Sequence, residues 1–250
     1  MIKYFVCSFL FVSVAAPWVQ AALPDIEAAV MDKNYEQARA LAAGLLKDTA
    51  DPKQRIEAQY YLGLSQLRLG QYAQARKAFQ IVMRAAPNQE LYDKAALGLV
   101  EGLSMAGFYK DALKEGEALL RKSPDSQSKS LIYLKIARAH LKLMQWRNAK
   151  EYLQKIAVKF PQSFEAPIAQ GLLEEKEYFT VQVGSFLDRS RAVKLTDGLK
   201  AKGQYAYIVE TTSKMKTFYR VRVGQMTSLK DAQALEFDLS HRGYPTLIYP

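Results

Sequence analysis

The chain has one cysteine, Cys7, and two histidines, His140 and His241, in 250 residues. A lone thiol excludes an intramolecular disulfide and any CxxC site, and two histidines argue against a multi-histidine metal centre. Acidic side chains are in deficit, 25 against 35 lysines and arginines, for a formal charge of +10. That balance invites an anionic partner without choosing among nucleic acid, membrane and acidic polymer. What is present is ordinary for a globular chain: 49% hydrophobic and 24% charged residues, which excludes wholesale disorder. The length suggests two domains.

Residues 1–21 have the layout of a secretory signal: Lys3, then an apolar stretch from Tyr4 to Val14, then Pro17 and the small-residue exit Val19-Gln20-Ala21. Cleavage is expected after Ala21 or Ala22. An uncleaved anchor is the rival reading, because residues 4–24 are uncharged and just reach the span of about 20 residues. Ser8, Ser13, Pro17 and Gln20 count against it. Both readings put the remainder across a membrane, with periplasmic location expected and membrane contact only if the segment stays. Cys7 leaves with the signal, and export makes nucleic acid a poor counterpart for the positive charge.

The middle of the chain repeats every 37 residues. Tyr35, Tyr72, Tyr109 and Trp146 keep that step, as do Ala38, Ala75, Ala112 and Ala149, and Leu45, Val82, Leu119 and Ile156. Pro87, Pro124 and Pro161 follow suit. Apolar residues at helical spacing make each copy two helices, with Gly70 and Gly107 at the turns and Lys33 and Met144 in the outer copies. A lone helical hairpin cannot bury its apolar face, so the copies must stack. The first copy has only Leu23–Asp32 as leading helix, and a helix over Glu165–Glu177 is expected to close the stack.

These residues resemble the tetratricopeptide repeat, best in the second copy with Leu62, Gly63, Gly70, Ala75, Phe79 and Pro87. Val100 and Ala137 depart at the first glycine, and Gly116 and Leu153 at the phenylalanine. The resemblance covers residues 23–177 and implies a solenoid whose groove holds a protein, here an unidentified envelope partner. A spacer or dimer surface is the plainer alternative.

After Glu177 a second repeat begins, with a step of 40 residues. YFTVQVGSF at 178–186 is answered by FYRVRVGQM at 218–226, and Ala192, Leu199, Gly203 and Ile208 recur as Ala232, Leu239, Gly243 and Ile248. Each half reads strand, helix, strand. The expectation for 178–250 is a βαββαβ four-stranded antiparallel sheet with two helices on one face, ferredoxin-like. Alternation turns Val181, Val183, Val221 and Val223 toward the helices. Thr180, Gln182, Phe218, Arg220 and Arg222 then point to the other face, which no remaining element covers. An aromatic, two guanidiniums and an amide suit sugar rings, although the arginines also read as plain solvated charges.

This half resembles the SPOR (sporulation-related repeat) domain, through the paired V-x-V-G strands and A-x-x-L-x-x-x-L helices. The resemblance implies binding of peptidoglycan glycan strands stripped of stem peptides, as at a septum. By position, Gln182 and Ser185 match polar binding positions, and Phe218 stands where many members carry tryptophan. Arg220 and Arg222 share the face by alternation, not by resemblance.

No catalytic constellation assembles, and no cofactor is called for. His140 reads as a packed residue of the fourth repeat, and His241 as a helix-end residue. The strand order also matches RNA-recognition modules, but their aromatic strand signature is missing. The reading is a non-enzymatic, exported peptidoglycan-binding protein whose repeats scaffold a partner, in cell division or wall remodelling. The alternative is a periplasmic interaction scaffold whose C-terminal module does not bind glycan.

Overall fold

The computed structural model describes residues 22–213 and 216–250; the expected signal lies outside them. Nine helices come first: α1 (Leu23–Met31), α2 (Tyr35–Asp48), α3 (Pro52–Arg68), α4 (Tyr72–Ala85), α5 (Gln89–Met105), α6 (Tyr109–Lys122), α7 (Lys129–Lys142), α8 (Trp146–Lys159) and α9 (Ala166–Leu173). The 37-residue step is visible directly. Each recurring aromatic is the first residue of a second helix, and Ala38, Ala75, Ala112 and Ala149 are all 0% exposed. A methyl group is the largest side chain these helix crossings admit without spreading the pair. Successive first helices lie against one another, α1 on α3, α3 on α5 and α5 on α7, which places them on the inside of the curve. There Arg68 and Lys135 both reach Glu101, at 2.6 and 3.1 Å, in a ladder across three repeats.

The turns explain the missing glycines. Gly70 and Gly107 have φ of 74° and 82°, and Lys33 and Met144 adopt the same left-handed turn at 59°. The turn is therefore imposed by stacking even where the residue disfavours it. Departures from the repeat pattern are compensated in pairs. The Phe79 ring is 0% exposed and lies so close to Gly98 that a Cβ there would sit 2.5 Å from its Cζ. One copy later Gly116 stands where a phenylalanine would, and Ile136, at the position of Leu99, fills the space at 2.8 Å from its ideal Cβ. The closing helix is shorter than expected, ending at Leu173 rather than Glu177.

The C-terminal half forms β1 (Phe179–Phe186), α10 (Arg189–Ala201), β2 (Ala206–Ser213), β3 (Lys216–Met226), α11 (Leu229–His241) and β4 (Leu247–Tyr249). The antiparallel sheet has the order β2-β3-β1-β4. Val181, Val183, Val221 and Val223 join Ala192, Leu199 and Leu239 in one core beneath the helices, as alternation predicts. Gly203 and Gly243, at φ of 78° and 84°, end the two helices.

Gly98→Ala should lower the free energy of unfolding by about 1–3 kcal/mol, because the Phe79 ring has no free volume to retreat into. Adding Phe79→Leu should restore part of that loss. Urea unfolding of the two variants reads it, and equal loss in both would show the contact is not limiting.

Candidate functional site

The sheet face away from the helices is built from alternate residues of all four strands. Across it run Gln182 opposite Arg222, Ser185 opposite Arg220, and Thr211 opposite Phe218. Strict alternation would turn Ser185 inward. A bulge prevents this: β1 advances from Gln182 to Gly184 while β3 moves only from Arg222 to Val221. The extra residue resets the phase and brings Ser185, which is exposed, onto the same face as Gln182. Phe218 and Arg220 are half-buried there.

Arg222 departs from expectation. Anticipated as an exposed guanidinium, it is 2% exposed and grips Glu175 bidentately, Nη1 and Nη2 donating to its carboxylate at 2.6 and 2.8 Å. The guanidinium carbon also stands 4.3 Å from the centre of the Tyr249 ring. Burial opposes its charge, but the hydrogen bonds and charge of Glu175 outweigh that, and its pKa is raised. Burial, then the Glu175 carboxylate, likewise keeps the Tyr249 phenol above its ordinary value, so the ring stays neutral.

The face is therefore not open throughout, a second departure. The segment between α9 and β1 crosses one end of it, and the fourth repeat closes over that end. Trp146 meets the Phe179 ring at 5.5 Å, Lys150 pairs with Glu177 at 2.9 Å, and Tyr249 packs into the cluster of Leu153 and Leu172. Thr180 is consequently 1% exposed, its hydroxyl donating to the Val223 carbonyl. The opposite end, around Ser185, Arg220 and Phe218, stays accessible. Among the described residues, Gln182 Oε1, Tyr207 Oη, Thr211 Oγ1 and Arg222 Nε are buried without a hydrogen-bond partner in the protein. Four unmatched polar atoms on one face are an unusual concentration, since buried polar groups are normally satisfied.

The alternation argument missed Tyr207, Val209 and Thr211 of β2 and Leu247 and Tyr249 of β4, which complete the face. The 40-residue step held the signal, because Tyr207 and Val209 are answered by Leu247 and Tyr249. Nothing in the sequence marks Glu175.

Away from this face the histidines are structural. His140 is 5% exposed, with Nδ1 2.6 Å from Gln145 Oε1 and its ring stacked on Tyr152. His241, in the last turn of α11, contacts the Phe237 carbonyl. No group of metal-ligating side chains occurs among the described residues, and no helix among them is long and apolar enough to cross a membrane.

Residues 175–246 match the SPOR domain family, and residues 57–88 and 132–163 match a tetratricopeptide repeat family. The chain thus carries a helical repeat region followed by a SPOR domain, both of them families of binding and scaffold modules. No curated protein matches the chain significantly. Solved structures similar to it include MamA 41-end from Desulfovibrio magneticus RS-1, at 21% identity and a TM-score of 0.48, covering 60% of this chain and 80% of that one. A MamA RS-1 double mutant gives 21%, 0.48, 60% and 79%. A structure titled for Pseudomonas aeruginosa pilF gives 23% and 0.46, covering 59% of this chain and 64% of that one.

Two predictions concern the covered end. Glu175→Ala should cost on the order of 3 kcal/mol, because it strands a buried guanidinium. Combining it with Arg222→Met should recover most of this, and a loss below about 1 kcal/mol in the single variant would mean the pair behaves as a surface pair. The second is a pH dependence. Lys142 Nζ donates to the Pro250 carbonyl at 2.7 Å, and burial, partly offset by Glu236 and reinforced by Arg138, lowers its pKa to about 8. Between about pH 8 and the ordinary lysine value near 10.5 the unfolded chain holds more protons, so this group makes stability rise with pH. Across that window the wild type should gain on the order of 1–3 kcal/mol relative to Lys142→Met, read by urea unfolding at several pH values.

Proposed function

We propose that this is an exported, non-enzymatic peptidoglycan-binding protein of a periplasm, whose sheet face takes glycan strands while the repeats hold a protein partner. The observation that carries the reading is the accessible half of the sheet face within a SPOR domain. Phe218 offers a flat apolar surface for the C–H face of a sugar ring. Arg220 donates and Ser185 both donates and accepts at hydroxyl or acetamide groups, while Gln182 and Thr211, whose side-chain oxygens are buried, form the floor between them. No carboxylate lies among these groups, which fits holding a glycan rather than cleaving it.

The repeats supply a second surface, the inner side formed by α3, α5 and α7, which carries Glu101 between Arg68 and Lys135. The charges of residues 22–175 as a whole nearly balance, 22 basic against 18 acidic, which suits a protein better than an anionic polymer. Septal enrichment and a part in cell division or wall remodelling follow from this reading, as does export by residues 1–21.

Retention of the full chain on purified sacculi tests it. Amidase treatment, which strips stem peptides, should increase retention, and Phe218→Ala with Arg220→Ala should reduce it about tenfold or more with the thermal unfolding midpoint little changed. Equal retention of wild type and double variant, or none on treated sacculi, would leave the interaction scaffold as the surviving reading.

A further inference from the structure

The positive charge of the SPOR domain is concentrated away from the sheet face. Residues 189–202, spanning α10, hold five cations against Asp197, whereas the equivalent residues 229–242 of α11 hold two against three acids. The difference is sharpest on one stripe. Arg191, Lys194, Gly198 and Lys202 are answered 40 residues later by Asp231, Ala234, Asp238 and Arg242. Both helices bury the same core positions, Ala192 and Leu199 on one and Ala232 and Leu239 on the other. The fold therefore does not demand the basic stripe.

That stripe lines a hollow of about 470 Å³ in the helix layer, on the opposite side of the sheet from Arg222. Its floor is apolar, made by Leu195 and the rings of Phe186 and Tyr244. Gly198 leaves the middle clear, with no atom within 4 Å of where its Cβ would lie. The cations stand at the rim. The Arg191 guanidinium is 5.2 Å from the centre of the Phe186 ring, and Lys202 Nζ donates to the Tyr244 hydroxyl at 3.0 Å. None of the lining side chains is acidic. Arg189 and Arg242 find partners in Glu210 and Asp238, but Arg191, Lys194 and Lys202 make no ion pair among the described residues.

We infer that this hollow binds an acidic peptide segment carrying an apolar side chain, supplied by a protein partner. The rim cations take its carboxylates, and the Leu195 floor beneath Gly198 takes the apolar group. Eleven helical residues separate Arg191 from Lys202, about 16 Å at the helical rise. That spans about five residues of extended peptide. A purely hydrophilic polyanion would use the rim but leave the aromatic and leucine floor in contact with polar groups, which the geometry disfavours. The site is independent of the glycan reading, because it uses no residue of the sheet face.

The probe is a fluorescent pentapeptide, Glu-Glu-Leu-Glu-Glu with blocked ends, alongside its all-glutamine counterpart, titrated into the full chain by anisotropy. The acidic peptide should bind and the glutamine peptide should not, with affinity falling as salt rises from about 50 to about 300 mM. Lys194→Glu with Lys202→Glu should weaken binding about tenfold. Gly198→Leu, which fills the hollow and favours the helix, should weaken it without altering charge. Circular dichroism checks that both variants keep their helices. No binding of the acidic peptide, or binding insensitive to both variants, overturns the inference. Long-chain polyphosphate bound more tightly than the peptide and indifferent to Gly198→Leu would overturn it in favour of a polyanion site.

Discussion

A guanidinium removed from water keeps its charge only when a carboxylate replaces the lost hydration, and Arg222 lies at the centre of a sheet whose one strand carboxylate among the described residues, Glu210, is turned to Arg189 instead. Glu175 does, from the segment leaving the last helix. That one pair draws the segment across the sheet face and so sets where the helical stack must end. Trp146 on Phe179, Lys150 on Glu177 and Tyr249 against the fourth repeat then follow as contacts between surfaces already brought together. Arg222 acts as the fastening of the two halves. The face it was expected to serve is divided by it into a covered end and an accessible end.

The stacked helices were legible because each recurring residue has one packing reason repeated four times. The small alanines, the aromatic at each second-helix start and the turn residues all occupy equivalent places. Even Lys33 and Met144, which break the glycine pattern, keep the turn it predicts. The closing helix was overestimated because Glu174–Glu177 carries no apolar period to end the pattern, and those residues serve the junction instead. In the sheet, alternation assigned the core valines and the outward side of Gln182, Phe218 and Arg220. It could not find the bulge at Val183–Gly184, since a bulge adds a residue without changing composition. Nor could it find the cover over Arg222, because the partner carboxylate lies 47 residues away in a segment with no repeat of its own.

The internal duplication of the sheet module separates what the fold requires from what this chain has added. Core positions are shared between halves: Val181 with Val221, Ala192 with Ala232, Leu199 with Leu239. The exposed stripe of the two helices is not, being basic on α10 and acidic with an internal ion pair on α11. The surplus charge first seen in the composition is thus partly cancelled on the sheet face by Glu175 and is densest on α10. Two surfaces of unlike chemistry, one polar and aromatic and one basic over an apolar floor, lie on opposite sides of a single sheet.

Sheet edges bear on how a long ligand could arrive. An edge strand exposes unpaired carbonyl and amide groups that invite pairing with another chain. Here β4 is only three residues long, and Lys142 of the fourth repeat donates to the carbonyls of Ile248 and Pro250 beside it. That edge is blocked by the solenoid, and the helices close the far side of the sheet. The other edge, β2, is eight residues long and places Tyr207, Val209 and Thr211 on the same face as Phe218 and Arg220. An extended polymer lying on this face can therefore cross β2 and run toward Ser185. On the proposed reading its contacts would be with side chains standing out from the sheet, which would put selectivity in Phe218, Arg220 and Ser185 rather than in the backbone.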